Sequence, residues 1–297
     1  MARRDYEMIE GQLTLDMFLS GSTKIAQRNI IATADQGFKS VSAYRIIKTA
    51  LAQIKPTDTE FKPYILTNKQ YMEFFGVSRQ YISRHAEAIK EEVRTSAITL
   101  PLTAPNGATI MTKINWVSFI AYDNEDEQFF ALKINSDLAP HLIRLVDQGN
   151  YYQIAEYIVA QTKNLNAGIL FEYINEDVRV QNNAHSVPVE GILIDLPLEI
   201  LKRIFQTEVK EHYESGRRSG SYYSKLLLTA IKEVERISSI FIDATPYKKG
   251  KEIVGYHLRI YNKFRLPDDY PPERKDTKLR YENYFGTKKK GGKKERA

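Results

Sequence analysis

The chain has 297 residues, 42% of them hydrophobic and 27% charged, the balance of a soluble globular protein with enough length for two domains. It contains no cysteine, which excludes disulfides, thiolate zinc sites and cysteine nucleophiles, and it has no apolar run near the roughly 20 residues of a membrane-spanning helix. Residues 271–297 hold ten Lys/Arg and four Asp/Glu, so the whole net charge of +6 sits in that tail and the preceding body is neutral. Any nucleic-acid surface in the body must therefore be a local arrangement of charge. The start, Met1 to Asp5, leads into mixed polar residues rather than an apolar signal core, and a cytoplasmic location is expected.

Residues 1–37 show no sustained periodicity beyond an apolar cluster at Leu13, Leu15, Met17, Phe18 and Leu19, and read as an N-terminal arm, flexible, with at most one short helix. From Ser42, the spacing of Tyr44, Ile47, Leu51 and Ile54 predicts a helix. Residues 59–66 read as an edge strand, the kind that tolerates Pro63. Helices are expected at 68–75 and 79–93, then β-runs at 97–102, 108–122 and 128–134, and a short helix around 136–147. A long helix at 151–162, another around 165–175, a strand at 191–195, a helix from Pro197, a loop at 214–221, a helix at 222–237 and a hairpin with strands near 239–245 and 253–264 follow.

The order helix, strand, helix, helix, hairpin occurs twice. The expected fold class is α+β: two tandem winged-helix domains related by pseudo-symmetry, at 38–149 and 150–266, with a disordered basic tail at 267–297. The second domain is expected to hold the main nucleic-acid contact and the first a secondary one, on the residues that follow.

Two helices carry the binding chemistry. Thr67 and Gln70 form a capping-box pattern, Gly76 supplies a turn, and Ser78 caps the next helix. On that second helix Ile82, Ala86, Ile89 and Val93 make a core stripe, while Arg79, Gln80, Ser83 and Arg84 face outward near its N-terminus, as reading a major groove requires. Glu87 and Glu91 make its later half unfavourable near phosphate, and the plain alternative is a helical hairpin with a solvated polar face. On the helix at 222–237, Tyr223, Leu226, Leu227, Ala230, Ile231 and Val234 form the core arc. Tyr222, Lys225, Thr229, Lys232 and Arg236 form the opposite arc, which holds three cations and no acid. Arg217, Arg218 and Ser221 precede or open this helix, and Lys248, Lys249 and Lys251 cluster at the tip of the following hairpin. A basic loop, an acid-free helical stripe and a basic wing match one groove and its bordering phosphates. A solvated charged stripe is the competing reading.

With these segments in place, the chain resembles the theta-type plasmid replication initiators of the Rep_3 (initiator RepB-like) family from about Arg28 to Phe264. The residues that carry this are Ser40 to Ile47, Phe61 to Tyr64, Ile114 to Ile120, Phe130 to Ile134, Leu138 to Leu142, Tyr151 to Ile154, Ile169 to Tyr173 and Tyr222 to Val234. The resemblance implies a non-enzymatic protein without cofactors or metal. It implies binding to double-stranded DNA at origin direct repeats and autorepression by a dimer in equilibrium with monomer. It also implies recruitment of the host initiator and replicative helicase on plasmid DNA in a bacterial cytoplasm. A tandem winged-helix transcriptional repressor without initiator activity is the alternative. Two departures stand out: Lys225 is a single cation flanked by Ser224 and Leu226 where family members often have several, and the family's basic residue ahead of the Tyr-Glu-like motif in the second domain is missing, with Gly168 nearby.

Enzyme readings find little support. The histidines His85, His141, His185, His212 and His257 are too scattered for the His-x-His metal site of a rolling-circle initiator. His141 with Arg144 matches only a fragment of the tyrosine-recombinase pattern, and the Lys/Gly run at 286–294 departs from a phosphate-binding loop by an extra glycine and lacks a preceding strand. That run reads as a solvated tail adding non-specific phosphate affinity.

Overall fold

The computed structural model describes residues 24–263 except positions 56, 104–105, 124–128, 146–150, 183–186 and 207–218, together with 266–267. Residues 1–23 of the expected arm, the tail beyond 267, Arg217 and Arg218 lie outside the described residues.

The chain does not wait until residue 38 to fold. Strand β1 (Lys24–Arg28) and helix α1 (Asn29–Thr33) come first, and Ile25, Ile31 and Ala32 are fully buried. Alternation explains β1: Ile25 and Gln27 face inward while Ala26 and Arg28 remain partly exposed. Its partner is β7 (Tyr151–Ala155), antiparallel, with Ile25 opposite Ile154. The helix expected at 151–162 is thus a strand followed by α6 (Glu156–Gln161). The long-range ladder overrides the helical spacing of Ile154, Ile158 and Val159.

Helix α2 (Val41–Ala52) starts at Ser40, whose Oγ accepts from the Ala43 amide at 3.1 Å. The expected strand at 59–66 begins only at Tyr64, as β2 (Tyr64–Thr67), because Pro63 has no N–H to enter the ladder. Thr67 and Gln70 form the capping box that opens α3 (Asn68–Phe75). Gly76 closes that helix in the left-handed region at φ 64°. Ser78 caps α4 (Arg79–Thr95), whose buried residues are Ile82, Ala86, Ile89 and Val93.

The single β-run expected at 108–122 is two strands. β3 (Ala97–Thr103) pairs with β4 (Thr109–Asn115), and β5 (Val117–Asp123) pairs with β6 (Phe129–Ile134). Trp116 makes the break: its amide donates to Ser96 O, its carbonyl accepts from Asn135 N, and its ring stacks on Phe38 at 5.2 Å. A 3₁₀ turn (Ser136–Leu138) and α5 (Ala139–Leu142) close this half.

The second half contains α7 (Leu165–Asn182), β8 (Ile192–Pro197), α8 (Leu198–Ile204), α9 (Ser219–Ile237), β9 (Ile240–Lys249) and β10 (Glu252–Asn262). Its sheet runs β8-β10-β9, and the sheet of the first half runs β2-β6-β5, both antiparallel. Each half therefore reads helix, strand, helix, helix, two strands, with the third strand in the middle. In the first half the β3–β4 hairpin is inserted before the last two strands.

The halves meet around a buried ion pair. Lys48 on α2 and Glu172 on α7 are both 0% exposed and lie 2.8 Å apart. The ammonium also donates to Gln27 Oε1 at 2.8 Å and Gln36 Oε1 at 3.1 Å, and Tyr44 donates to Glu172 Oε1 at 2.8 Å. Burial pulls the Lys48 pKa below its ordinary value, opposed by Glu172. Close by, the carbonyls of Ala160, Gln161 and Thr162 are taken by arginines from both sides, Arg45 of α2 and Arg236 of α9.

Gly168 has a structural reason at this junction. A Cβ there would lie 2.9–3.0 Å from the ring carbons and hydroxyl of Tyr44, which is itself buried and bonded to Glu172. Gly168→Ala should therefore destabilise the fold by an overpacking cost of about 1–3 kcal/mol, seen as a lowered urea midpoint. Helix propensity alone favours alanine by up to about 1 kcal/mol. An unchanged or raised midpoint would show that Tyr44 gives way.

Candidate nucleic-acid interface

Helix α9 is held at both ends and along its inner face. Tyr223, Leu227, Ala230, Ile231, Val234 and Ile237 are buried, and Leu226 packs half-buried beside them. At its start the Ser224 and Tyr256 hydroxyls lie 2.8 Å apart, tying the helix to β10. At its end Lys263 donates to the carbonyls of Glu235 and Ser238, a cation at the negative helix terminus. Desolvation brings the Lys263 pKa down to about 8, partly offset by Glu235. A helix fixed this way presents its outer face with little freedom to reorient.

On that outer face Lys225, Leu228, Thr229 and Lys232 are exposed. Neither Lys225 nor Lys232 makes a salt bridge among the described residues. Tyr222 is half-buried against the core, and Ser221 lies in the first turn. Arg236 stands apart from the others. Its side chain is 31% exposed, and its guanidinium donates to both carboxylate oxygens of Glu233 and to Gln161 O, each at 2.7 Å. Glu233 also accepts the Lys163 amide at 2.8 Å. The helical projection places Arg236 on the outer arc, and the loop after α6 packs over that end of the helix and engages it.

The hairpin that follows α9 turns at Gly250, and Lys248, Lys249 and Lys251 are all exposed there. The second half thus brings together an open two-lysine helix face and, on the succeeding hairpin, a three-lysine tip. Arg217 and Arg218 fall outside the described residues.

In the first half Arg79, Gln80, Ser83 and Arg84 are exposed on the first turns of α4, in line with the sequence pattern. Further along, the cations are internally paired: Lys90 with Glu87, and Arg94 with Glu91 at 2.6 Å. Only the N-terminal part of α4 therefore has cations open to a polyanion. Tyr81, which the sequence pattern does not single out, is exposed beside them with its ring 4.6 Å from His85.

His85 and His257 stand on different elements, and His257 Nδ1 is 2.6 Å from Asp195 Oδ1. Burial lowers the pKa of His141, with Arg28 adding to the effect. Among the described residues no group of three or more His, Cys, Asp or Glu is placed to hold a metal ion.

A family model described as the initiator replication protein domain WH1 matches residues 24–175, more than half of the chain. The chain belongs to the initiator replication protein family. The matched span includes β1 and runs through β7 into α7, in keeping with the β1–β7 ladder and the Lys48–Glu172 pair. Among solved structures, this initiator is similar to the Pi initiator protein in complex with iteron DNA, with a TM-score of 0.60 and 16% identity over 81% of this chain and 97% of that one. At that identity the similarity concerns the fold, that of a winged-helix initiator of mixed α/β class. It also matches domains 2 and 3 of RctB, with a TM-score of 0.41 and 9% identity over 75% of this chain and 80% of that one, too low to add to the argument. No curated protein matches the chain by sequence.

Proposed function

We propose that this initiator is a plasmid protein that binds direct repeats in the double-stranded DNA of its origin through two winged-helix units related by pseudo-symmetry. The observation that carries the reading is the outer face of α9, where Lys225 and Lys232 are exposed, without partners among the described residues, on a helix fixed at both ends. A rigid helix with open cations, followed by a basic hairpin, suits a major groove and its phosphates. The Pi initiator, whose fold is similar, is held on iteron DNA in its crystal structure.

In this reading Lys225, Thr229 and Lys232 face the bases, with Ser221, Tyr222, Arg217 and Arg218 around the helix start. Lys248, Lys249 and Lys251 meet phosphate. Arg79, Gln80, Ser83 and Arg84 provide a second, weaker contact from the first unit. Arg236 orients the helix through Glu233 and Gln161 and touches no base. The protein acts without a catalytic step in the bacterial cytoplasm, represses its own promoter as a dimer, and recruits the host initiator and replicative helicase to the origin. No helix among the described residues is long and apolar enough to cross a membrane.

The test is genetic. A plasmid whose only origin is the gene with its upstream DNA should replicate in a bacterial host. Failure to replicate, with repression of the promoter retained, would mark a stand-alone repressor. Nicking or covalent attachment of supercoiled origin DNA in the presence of Mg²⁺ would overturn the non-enzymatic reading.

A further inference from the structure

Leu228 is 50% exposed on the outer side of α9, opposite the buried face of the helix. It sits three residues after Lys225 and four before Lys232, so all three share neighbouring positions on the helix surface. Thr229, beside it, directs its hydroxyl back along the helix, donating to Lys225 O at 2.8 Å. With that donor committed to the backbone, Thr229 offers its methyl group on the other side of Lys225 and Lys232 from Leu228. The outer face of α9 therefore carries Lys225 and Lys232 about two helical turns apart, with an apolar group to either side of them.

We infer that Leu228, with the Thr229 methyl, recognises the C5-methyl group of thymine in the major groove, between the contacts made by Lys225 and Lys232. Thymine is the base that offers an apolar group there, and an aliphatic side chain gains nothing from the donors and acceptors of the other base edges. The flanking lysines commit the patch to a polyanion: two exposed cations bracketing two apolar groups suit a groove edged by phosphate better than an apolar protein surface. Glu233 does not interfere, since its carboxylate is held by Arg236 and the Lys163 amide. The inference rests on the proposed DNA reading by α9 and adds which base chemistry the helix selects.

The experiment uses the full chain and a duplex that it selects from a random-sequence pool. Each thymine is replaced singly by deoxyuridine, which removes the methyl and leaves base pairing intact. At one or two positions binding should weaken roughly three- to fivefold, the size expected for one buried methyl group. Leu228→Ala should bind the thymine duplex more weakly and lose the thymine–uracil difference at those positions. Leu228 is exposed, so the variant should keep the wild-type circular dichroism and melting curve. A wild type indifferent to every replacement, or a Leu228→Ala variant that keeps the same thymine–uracil ratio, would overturn the inference while leaving DNA binding by α9 intact. A change in oligomeric state with that ratio unchanged would do the same, assigning Leu228 to a contact between copies. A pool that yields no preferred duplex would overturn both this inference and the function it rests on.

Discussion

Lys225→Ala and Lys232→Ala should each abolish footprinting on the origin repeats, while Arg84→Ala weakens it less. Each lysine is exposed, and no salt bridge among the described residues offsets its charge. A side chain that reads a base edge is worth about 1–3 kcal/mol, so the double variant should lose roughly two to four orders of magnitude in affinity. Salt dependence separates the roles: a lysine on phosphate lowers the slope of log K against log salt by about 1 when removed, whereas one on a base relaxes sequence preference. Arg84 should have a smaller effect, because the later half of α4 carries Glu87 and Glu91 on its exposed side and its own cations are paired with them. Normal binding by both α9 variants would place the reading surface elsewhere.

The second large effect concerns stability. Glu172→Gln leaves the Lys48 ammonium at 0% exposure without its anion, and removal of one partner from a buried pair costs about 3–5 kcal/mol. Lys48→Met strands the Glu172 carboxylate in the same way. The double variant removes both charges, and the introduced side-chain amide can still accept from Tyr44 and meet Gln27 and Gln36. Its destabilisation should fall below the sum of the two single costs by roughly 1–3 kcal/mol in a urea-denaturation cycle. Additive losses would mean that the pair is not coupled in the folded protein. Because Lys48 belongs to α2 and Glu172 to α7, the same cycle reports on the junction between the halves. Arg45 and Arg236 strap the loop after α6 from either side of that junction.

What can be read from the sequence is what neighbouring residues decide. The segment from Thr67 to Ser78 behaves as expected because a capping box, a left-handed glycine and a serine cap are all local bonds. The inner face of α9 follows directly from helical spacing. β1 and β7 escape such a reading, which sees one as arm and the other as helix, because each is a strand only through a partner more than a hundred residues away. Lys48 and Glu172 give no signal, since a charged residue in a helix reads as solvent-facing until its counter-ion is known. Arg236 and Leu228 show the limit of a helical projection. It gives the angle of a side chain, but not the loop that engages Arg236 or the exposure of Leu228. The single break at Trp116 is hidden because β-type residues continue on both sides of it.

The most direct measurement is a footprint of the purified chain on DNA flanking its own gene. The proposed function predicts protection of direct repeats of about 20 base pairs, close to two helical turns, matching two reading units on one repeat. It also predicts that protection disappears in Lys225→Ala and Lys232→Ala while their folding is unchanged. Uniform, sequence-independent protection, or a footprint that survives both substitutions, would contradict it.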